Sequence, residues 1–169
     1  MIGLNFKLSI SNNYEYFSNF KGEIFKDDIQ VGIVAFSLIN TCSAINNDCF
    51  NEDLIVPNNY DTELFHSIID FESMDFIPPV LSEGYVGDGI LLIDQIIIFK
   101  EHRRNGYATE TFDWLAKTFD GFKTIMFDSR PYDSSNKKDS KIALKFSKST
   151  LAYNLEGTTF FVENSNTYK

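Results

Sequence analysis

The chain is short of most features that would fix a function at once. It has no basic excess: 15 lysines and arginines stand against 24 aspartates and glutamates, a formal net charge of −9 at pH 7. A surface that grips nucleic acid draws most of its affinity from cations set against phosphates, so DNA and RNA are disfavoured as partners. An acidic balance instead steers cations toward the protein, protonated amines among them. Cysteine is scarce, with Cys42 and Cys49 alone. They lie too far apart for a zinc pattern and have no histidine beside them, so no metal site is expected. An oxidising compartment would let them pair; reduced thiols in a cytoplasmic protein are the default expectation. No apolar run reaches the length of a membrane span. The opening Met1-Ile2-Gly3-Leu4-Asn5-Phe6-Lys7 lacks the charged-then-apolar layout of a signal peptide. Tryptophan occurs once and proline four times.

Aromatic residues are plentiful, with 17 Phe and 8 Tyr in 169 residues. That supplies a large interior for one domain spanning 1–169. Phe6 to Ile10 alternates apolar and polar, which predicts a strand ended by Ser11-Asn12-Asn13. Tyr14 to Phe20 reads as a loop or a single helical turn. Gly22 to Phe25 and Ile29 to Ile39 flank Lys26-Asp27-Asp28, the pattern of a β-hairpin with an acidic turn, and Ile29 to Leu38 is apolar enough for a long inner strand. Asn40 to Asn59 reads as a loop whose acidic and amide residues do not match a calcium-loop template. Asp61 to Phe71 has helical spacing, capped by Asn59 or Asp61. His66 falls on it, but a lone histidine on a helix is more often structural or exposed than catalytic. Glu72 to Gly89, with Pro78-Pro79, reads as a connecting loop that could wall an acceptor pocket.

The centre of the chain is Ile90 to Phe119. Ile90-Leu91-Leu92-Ile93, Asp94-Gln95 and Ile96-Ile97-Ile98-Phe99 form a nearly unbroken aliphatic run, the pattern of a strand buried on both faces. A turn follows, Arg103-Arg104-Asn105-Gly106-Tyr107-Ala108. Then Ala108, Phe112, Leu115, Ala116 and Phe119 recur at helical spacing, a stripe that faces a sheet. A turn between strand and helix aims its own N–H groups and the helix's first free N–H groups at one spot, which suits a phosphate or pyrophosphate. Gly106 allows close approach because it has no Cβ; Arg103 and Arg104 bring positive charge. Gly121 is the expected helix cap. Lys123 to Asp128 is the next strand, which makes a β-α-β unit with the two strands parallel and the crossover right-handed. Ser129 to Asp139 is polar. Ser140 to Tyr153 has helical spacing, capped by Asp139 or Ser140 and ended by Gly157, and Thr158 to Val162 is the last strand.

Arg103-x-x-Gly106-x-Ala108, after an aliphatic strand and before an amphipathic helix, resembles the acetyl-CoA-binding signature of the GCN5-related N-acetyltransferases. The resemblance covers about Ile90 to Phe127. It implies an α+β fold: a central mixed, mostly antiparallel sheet with flanking helices, a parallel β-α-β unit that binds acetyl-CoA, and two strands that diverge near the cofactor. Family members place two helices between their first and second strands; here the early helical pattern comes only after the hairpin. The implied cofactor contacts are the backbone of Ile96, Ile97 and Ile98, with the Ile98 N–H approaching the acetyl carbonyl, and Arg103, Arg104, Asn105, Gly106, Tyr107, Ala108 and Thr109.

An amine must be neutral to attack a thioester, so a base is needed, and the departing thiolate needs a proton. Asp94 sits among apolar residues, where burial raises a carboxyl's pKa toward neutrality. The family often uses a Glu at about this place on the strand. Asp94 is a candidate base; hydrogen bonding to backbone where strands splay, or facing solvent, is the equal alternative. The resemblance implies Tyr153 as general acid, or Ser147 in another alignment, and Asn136 as a further cofactor contact. Asp128 and Arg130 follow the strand on the acceptor side.

The expected function is acetyl transfer from acetyl-CoA to a primary amine of a small molecule, peptide or protein, by direct transfer in a ternary complex. The alternative is a non-catalytic module of the same fold that binds CoA or a protein. Action on charged tRNA rests on Lys137, Lys138, Lys141, Lys145 and Lys148, which read more simply as a solvated helix face. A homodimer is compatible with the sequence, and no membrane partner is expected.

Overall fold

A computed structural model describes residues 3–14, 17–40, 69–70, 75–76, 89–122, 124–128, 153–156 and 159–163. The strands are β1 (Leu4–Tyr14), β2 (Phe17–Lys26), β3 (Ile29–Ile39), β4 (Ile69–Asp70), β5 (Asp75–Phe76), β6 (Ile90–Ile98), β7 (Thr124–Asp128), β8 (Tyr153–Glu156) and β9 (Thr159–Glu163). The helix is α1 (Tyr107–Thr118), preceded by a short 3-10 turn at Lys100–His102. The fold is α+β. Seven strands form one mixed sheet in the order β1-β2-β3-β6-β7-β9-β8, and β4 and β5 pair separately. All neighbours in the large sheet are antiparallel except β6 and β7, which are parallel. The β-α-β unit is therefore β6-α1-β7.

The β2–β3 hairpin forms as its sequence predicts. Lys26 pairs with Ile29, and Asp27 and Asp28 between them have φ of 48° and 65°. Two consecutive left-handed residues are what a tight hairpin needs to match strand twist, and aspartate tolerates that region better than branched residues do. β3 is the long inner strand, flanked by β2 and β6.

Helix α1 covers one face of the sheet. Thr111, Phe112, Leu115 and Ala116 are its buried residues. Phe112, Leu115 and Ala116 join Ile24, Val34, Phe36, Leu91, Ile93, Ile98, Ile125 and Phe127 in one core. The Phe112 ring meets Phe127 edge-on at 5.4 Å, and Trp114 stacks on Phe6 at 3.9 Å, which fastens β1 to the helix. Buried Thr111 is satisfied locally, its Oγ1 donating to the Tyr107 carbonyl at 2.8 Å. On the opposite face Ile39, Ile90, Leu92 and Met126 are also buried.

Several expectations need correction. Ser11-Asn12-Asn13 does not end β1; the strand runs on to Tyr14 with a register shift between Ile10 and Asn12. The polar triplet is absorbed as a bulge because β2 continues to pair beside it. Phe17 to Phe20 is strand, not loop or helical turn, and Phe17 is buried. Ile69 and Asp70, placed at the end of a predicted helix over 61–71, are strand β4; the rest of that helix, with His66, lies outside the described residues. Asp75 and Phe76, within the predicted loop 72–89, are strand β5. Helix α1 stops at Thr118 with Phe119 as its cap (φ −113°, ψ 44°), two residues before the expected Gly121. Tyr153 belongs to strand β8 and not to a helix; 140–152 lie outside the described residues. The loop 41–59 and its cysteines are likewise outside them.

Candidate functional site

Strand β6 changes character halfway along. Ile90, Leu91, Leu92 and Ile93 are all buried, whereas Gln95 is exposed and Asp94, Ile96 and Ile97 are half-buried. The expectation of burial on both faces thus holds for the first four residues and, of the rest, for Ile98 alone. The pairing gives the reason. Phe36 of β3 faces Ile93 and Ala35 faces Gln95, so Asp94 is the extra residue of a β-bulge. On the other side, parallel pairing with β7 closes at Ile93↔Phe127. Beyond the bulge, among the described residues, β6 pairs on one edge only, with β3. A bulge bends its strand and re-aims side chains, and here it coincides with the point where β6 and β7 part.

The direction of the backbone groups past the bulge follows from antiparallel alternation. Phe99 N–H donates to the Val31 carbonyl at 2.9 Å. The pair 31–99 is therefore hydrogen-bonded, 33–97 is too, and 96 and 98 turn their N–H and C=O away from β3. They point to the side on which β7 has stopped pairing. The Ile98 carbonyl is used there: Arg103 Nε donates to it at 3.0 Å. One of that carbonyl's two lone pairs is thereby occupied. The N–H groups of Ile96 and Ile98 keep the required direction, while Ile97 directs its own toward β3.

The turn from β6 to α1 is a fixed structure. His102 N–H donates to the Phe99 carbonyl at 2.9 Å, and Asn105 Nδ2 donates to the His102 carbonyl at 3.0 Å. Asn105 thus holds the turn. Arg104 has φ 69°, a left-handed backbone that costs a non-glycine residue about 1 kcal/mol or more. Gly106 is the N-cap of α1 with φ 80° and ψ 1°, and no side chain caps the helix. Glycine suits that backbone. Glu110 N–H already donates to the Gly106 carbonyl, while helix geometry leaves Tyr107, Ala108 and Thr109 N–H without an intrahelical acceptor. Arg103, Arg104, Asn105, Gly106 and Thr109 are exposed; Tyr107 and Ala108 are half-buried against the core. One feature opposes an anion here. Glu110 lies in the first turn, but its Oε1 accepts from Gly3 N–H at 3.0 Å, which ties the carboxylate to the start of β1.

Asp94 points to the face opposite α1. Its Oδ2 is 3.5 Å from Ser37 Oγ, and its Oδ1 is closed off from solvent. Ser37, beside core residue Phe36 on β3 and therefore on the other face, is 2% exposed and lies 2.7 Å from Asn19 Oδ1. Neither Ser37 nor Asn19 was a sequence candidate. Ser37 had a weak signal, a lone hydroxyl late in an aliphatic strand; Asn19 had none, since its segment read as loop.

Tyr153 is not brought to Asp94. Through the pairs Tyr153↔Phe161, Phe161↔Met126 and Met126↔Leu92 its backbone stands three strands from β6, about 14 Å at ordinary strand spacing. Asn136, Ser147, Arg130 and the lysines of 137–148 lie outside the described residues. Among the described residues no three His, Cys, Asp or Glu side chains gather as a metal site, and no helix is long and apolar enough to cross a membrane. No protein-family model and no curated protein matches this chain.

Proposed function

We propose that this chain is an acetyl-CoA-dependent N-acetyltransferase acting on a primary amine, built as a GCN5-related N-acetyltransferase. One observation carries the reading. The parallel β6–β7 pairing ends at Ile93↔Phe127, beside the bulge at Asp94, and the N–H groups of Ile96 and Ile98 point away from β3 on that side. A strand edge of this kind suits an extended amide-bearing arm, because strand N–H groups can pair with it as they would with a further strand.

The other parts are consistent in chemistry. The free N–H groups of Tyr107, Ala108 and Thr109, with Arg103 and Arg104 beside them, suit the pyrophosphate of CoA. The cofactor supplies an acetyl thioester whose carbonyl is polarised by a backbone N–H, the role assigned to Ile98. Asp94, at the bulge, takes a proton from the incoming ammonium group directly or through a water. Its carboxyl is half-buried rather than fully solvated. Tyr153 receives no role in this scheme, since its backbone is remote from the bulge. The acceptor is a primary amine, which the acidic net charge of −9 favours in its protonated form.

The experiment is calorimetry with acetyl-CoA followed by turnover with a panel of amines, in wild type and Asp94→Asn. The reading requires acetyl-CoA binding in both and turnover in wild type alone. Binding without turnover for any amine would favour the non-catalytic CoA-binding module instead.

A further inference from the structure

Past the bulge, β3 and β6 have two non-hydrogen-bonded pairs, 34–96 and 32–98, where opposite residues stand closest. Val34 occupies the first. Gly32 occupies the second, opposite the residue whose N–H is assigned to the acetyl carbonyl. The backbone of Gly32 does not ask for glycine, since Gly32 is not among the glycines with positive φ. Proximity does ask for it. A Cβ on Gly32 would run into the Ile97 carbonyl oxygen and would lie 3.2 Å from Ile98 Cα and 3.1 Å from Ile98 Cδ1. The carbonyl oxygen and the Cα are backbone and cannot swing aside as a side-chain end can. A glycine inside a strand often marks such a close approach. The consequence depends on which peptide is approached. The Ile97 C=O and the Ile98 N–H belong to one planar trans unit and point in opposite directions. The oxygen faces β3 and Gly32; the N–H faces the other way. Displacing the oxygen tilts the plane and re-aims the N–H.

We propose that Gly32 is a positioning residue: by leaving room for the Ile97 carbonyl, it sets the direction in which the Ile98 N–H meets the acetyl carbonyl of the thioester. The catalytic meaning rests on the acetyl-transfer reading; the coupling of Gly32 to the Ile98 N–H direction does not. A donor of this kind acts by being aimed beforehand at the oxygen that gains charge in the transition state, so its direction matters more to turnover than to ground-state binding. Gly22 supplies the comparison. It is also buried, one strand further out, between Leu8 and Val34. A Cβ there would meet Leu8 Cδ2 first, with the Lys7 carbonyl oxygen at 3.1 Å and Val34 Cγ1 at 3.2 Å. Leu8 is exposed, so its side chain can turn away. An alanine at Gly22 therefore adds the same methyl to the sheet without pressing on the Ile97–Ile98 peptide.

The test compares wild type, Gly32→Ala and Gly22→Ala. Without cofactor, residual dipolar couplings report the direction of each backbone N–H. The Ile98 coupling changes in Gly32→Ala and keeps its wild-type value in Gly22→Ala, while the couplings of α1 stay the same in both. With acetyl-CoA and an amine that wild type acetylates, kcat of Gly32→Ala falls about tenfold to a hundredfold, short of the loss of a whole oxyanion donor. Calorimetry finds its acetyl-CoA affinity little changed, the split expected for an interaction made in the transition state. Gly22→Ala keeps the wild-type kcat. An unchanged kcat in folded Gly32→Ala, or equal losses in the two variants, overturns the proposal and leaves acetyl transfer standing. A wild type that neither binds acetyl-CoA nor turns over, with the Ile98 coupling moved in Gly32→Ala alone, removes the acetyl-transfer reading and leaves the geometric coupling. If Gly32→Ala is unfolded in buffer, the measurements are made in trimethylamine N-oxide, which favours compact states. A variant still unfolded there overturns the proposal, because Gly32 then serves folding alone.

Discussion

The two halves of β6 are made of nearly the same residues and behave differently. Ile90 to Ile93 is paired on both edges and buried on both faces; among the described residues Ile96 to Ile98 is paired on one edge, and of the three Ile98 alone is buried. Hydrophobicity does not separate them, since both are runs of isoleucine and leucine. What separates them is the residue between. Asp94 occupies a bulge, and the pairing with the parallel neighbour ends at the residue before it. The first half contributes cohesion, and in the second the N–H groups of Ile96 and Ile98 point away from β3. Aliphatic side chains serve the second half as well as the first, because the groups offered there are amides.

The largest expected effect falls on the boundary residue. Asp94→Asn should lower kcat about 100-fold or more, the usual scale of a lost general base, while calorimetry finds acetyl-CoA affinity unchanged. Equal turnover would leave the bulge as a purely structural device. Next come the halves themselves. Leu91 is fully buried, so Leu91→Ala should cost about 2–5 kcal/mol in urea unfolding. Ile97 is half-buried, and Ile97→Ala should cost well under half of that, near 1 kcal/mol. Equal costs would erase the contrast. Smaller again is Arg103→Ala. Losing the Nε bond to the Ile98 carbonyl and a charge beside the turn should weaken acetyl-CoA binding about tenfold, the scale of a charge-assisted hydrogen bond, with little change in Tm.

The smallest effect lies outside β6, on α1, and serves as a baseline. Burial pushes the Asp113 carboxyl above its ordinary range, Glu110 adds to the rise, and Lys117 opposes it. A carboxyl raised on folding binds its proton more tightly in the native state. It favours folding at pH below its unfolded value and disfavours it once pH exceeds the folded one. Asp113→Asn should therefore raise Tm slightly at pH 7 and not at pH 3. The residue lies on the helix surface and is only partly shielded from water, which keeps the gain small. A gain that is larger at pH 3 would reverse the sign of the argument.

The strand–turn–helix unit was legible because three local signals agree there: an aliphatic run, a glycine in a basic turn and a helical stripe. The β2–β3 hairpin was legible from Asp27-Asp28 between two apolar runs. The bulge at Asp94 was not, because it is a mismatch in count between β3 and β6, strands far apart in sequence. The polar pair Asp94-Gln95 marked the place without its form. Phe17 to Phe20 was missed because Asn and Ser weaken a strand pattern that neighbouring strands nonetheless enforce. Tyr153 was misplaced for a related reason: a short apolar pattern fits helix and strand alike until its partner, β9, is known.

The most direct test is isothermal calorimetry of acetyl-CoA with wild type and Gly106→Glu. Gly106 has φ 80° at the start of α1, so the substitution puts bulk, backbone strain and negative charge where the pyrophosphate is assigned. The account predicts measurable binding by wild type and none by the folded variant. Equal heats from both proteins, or no heat from wild type, would contradict it.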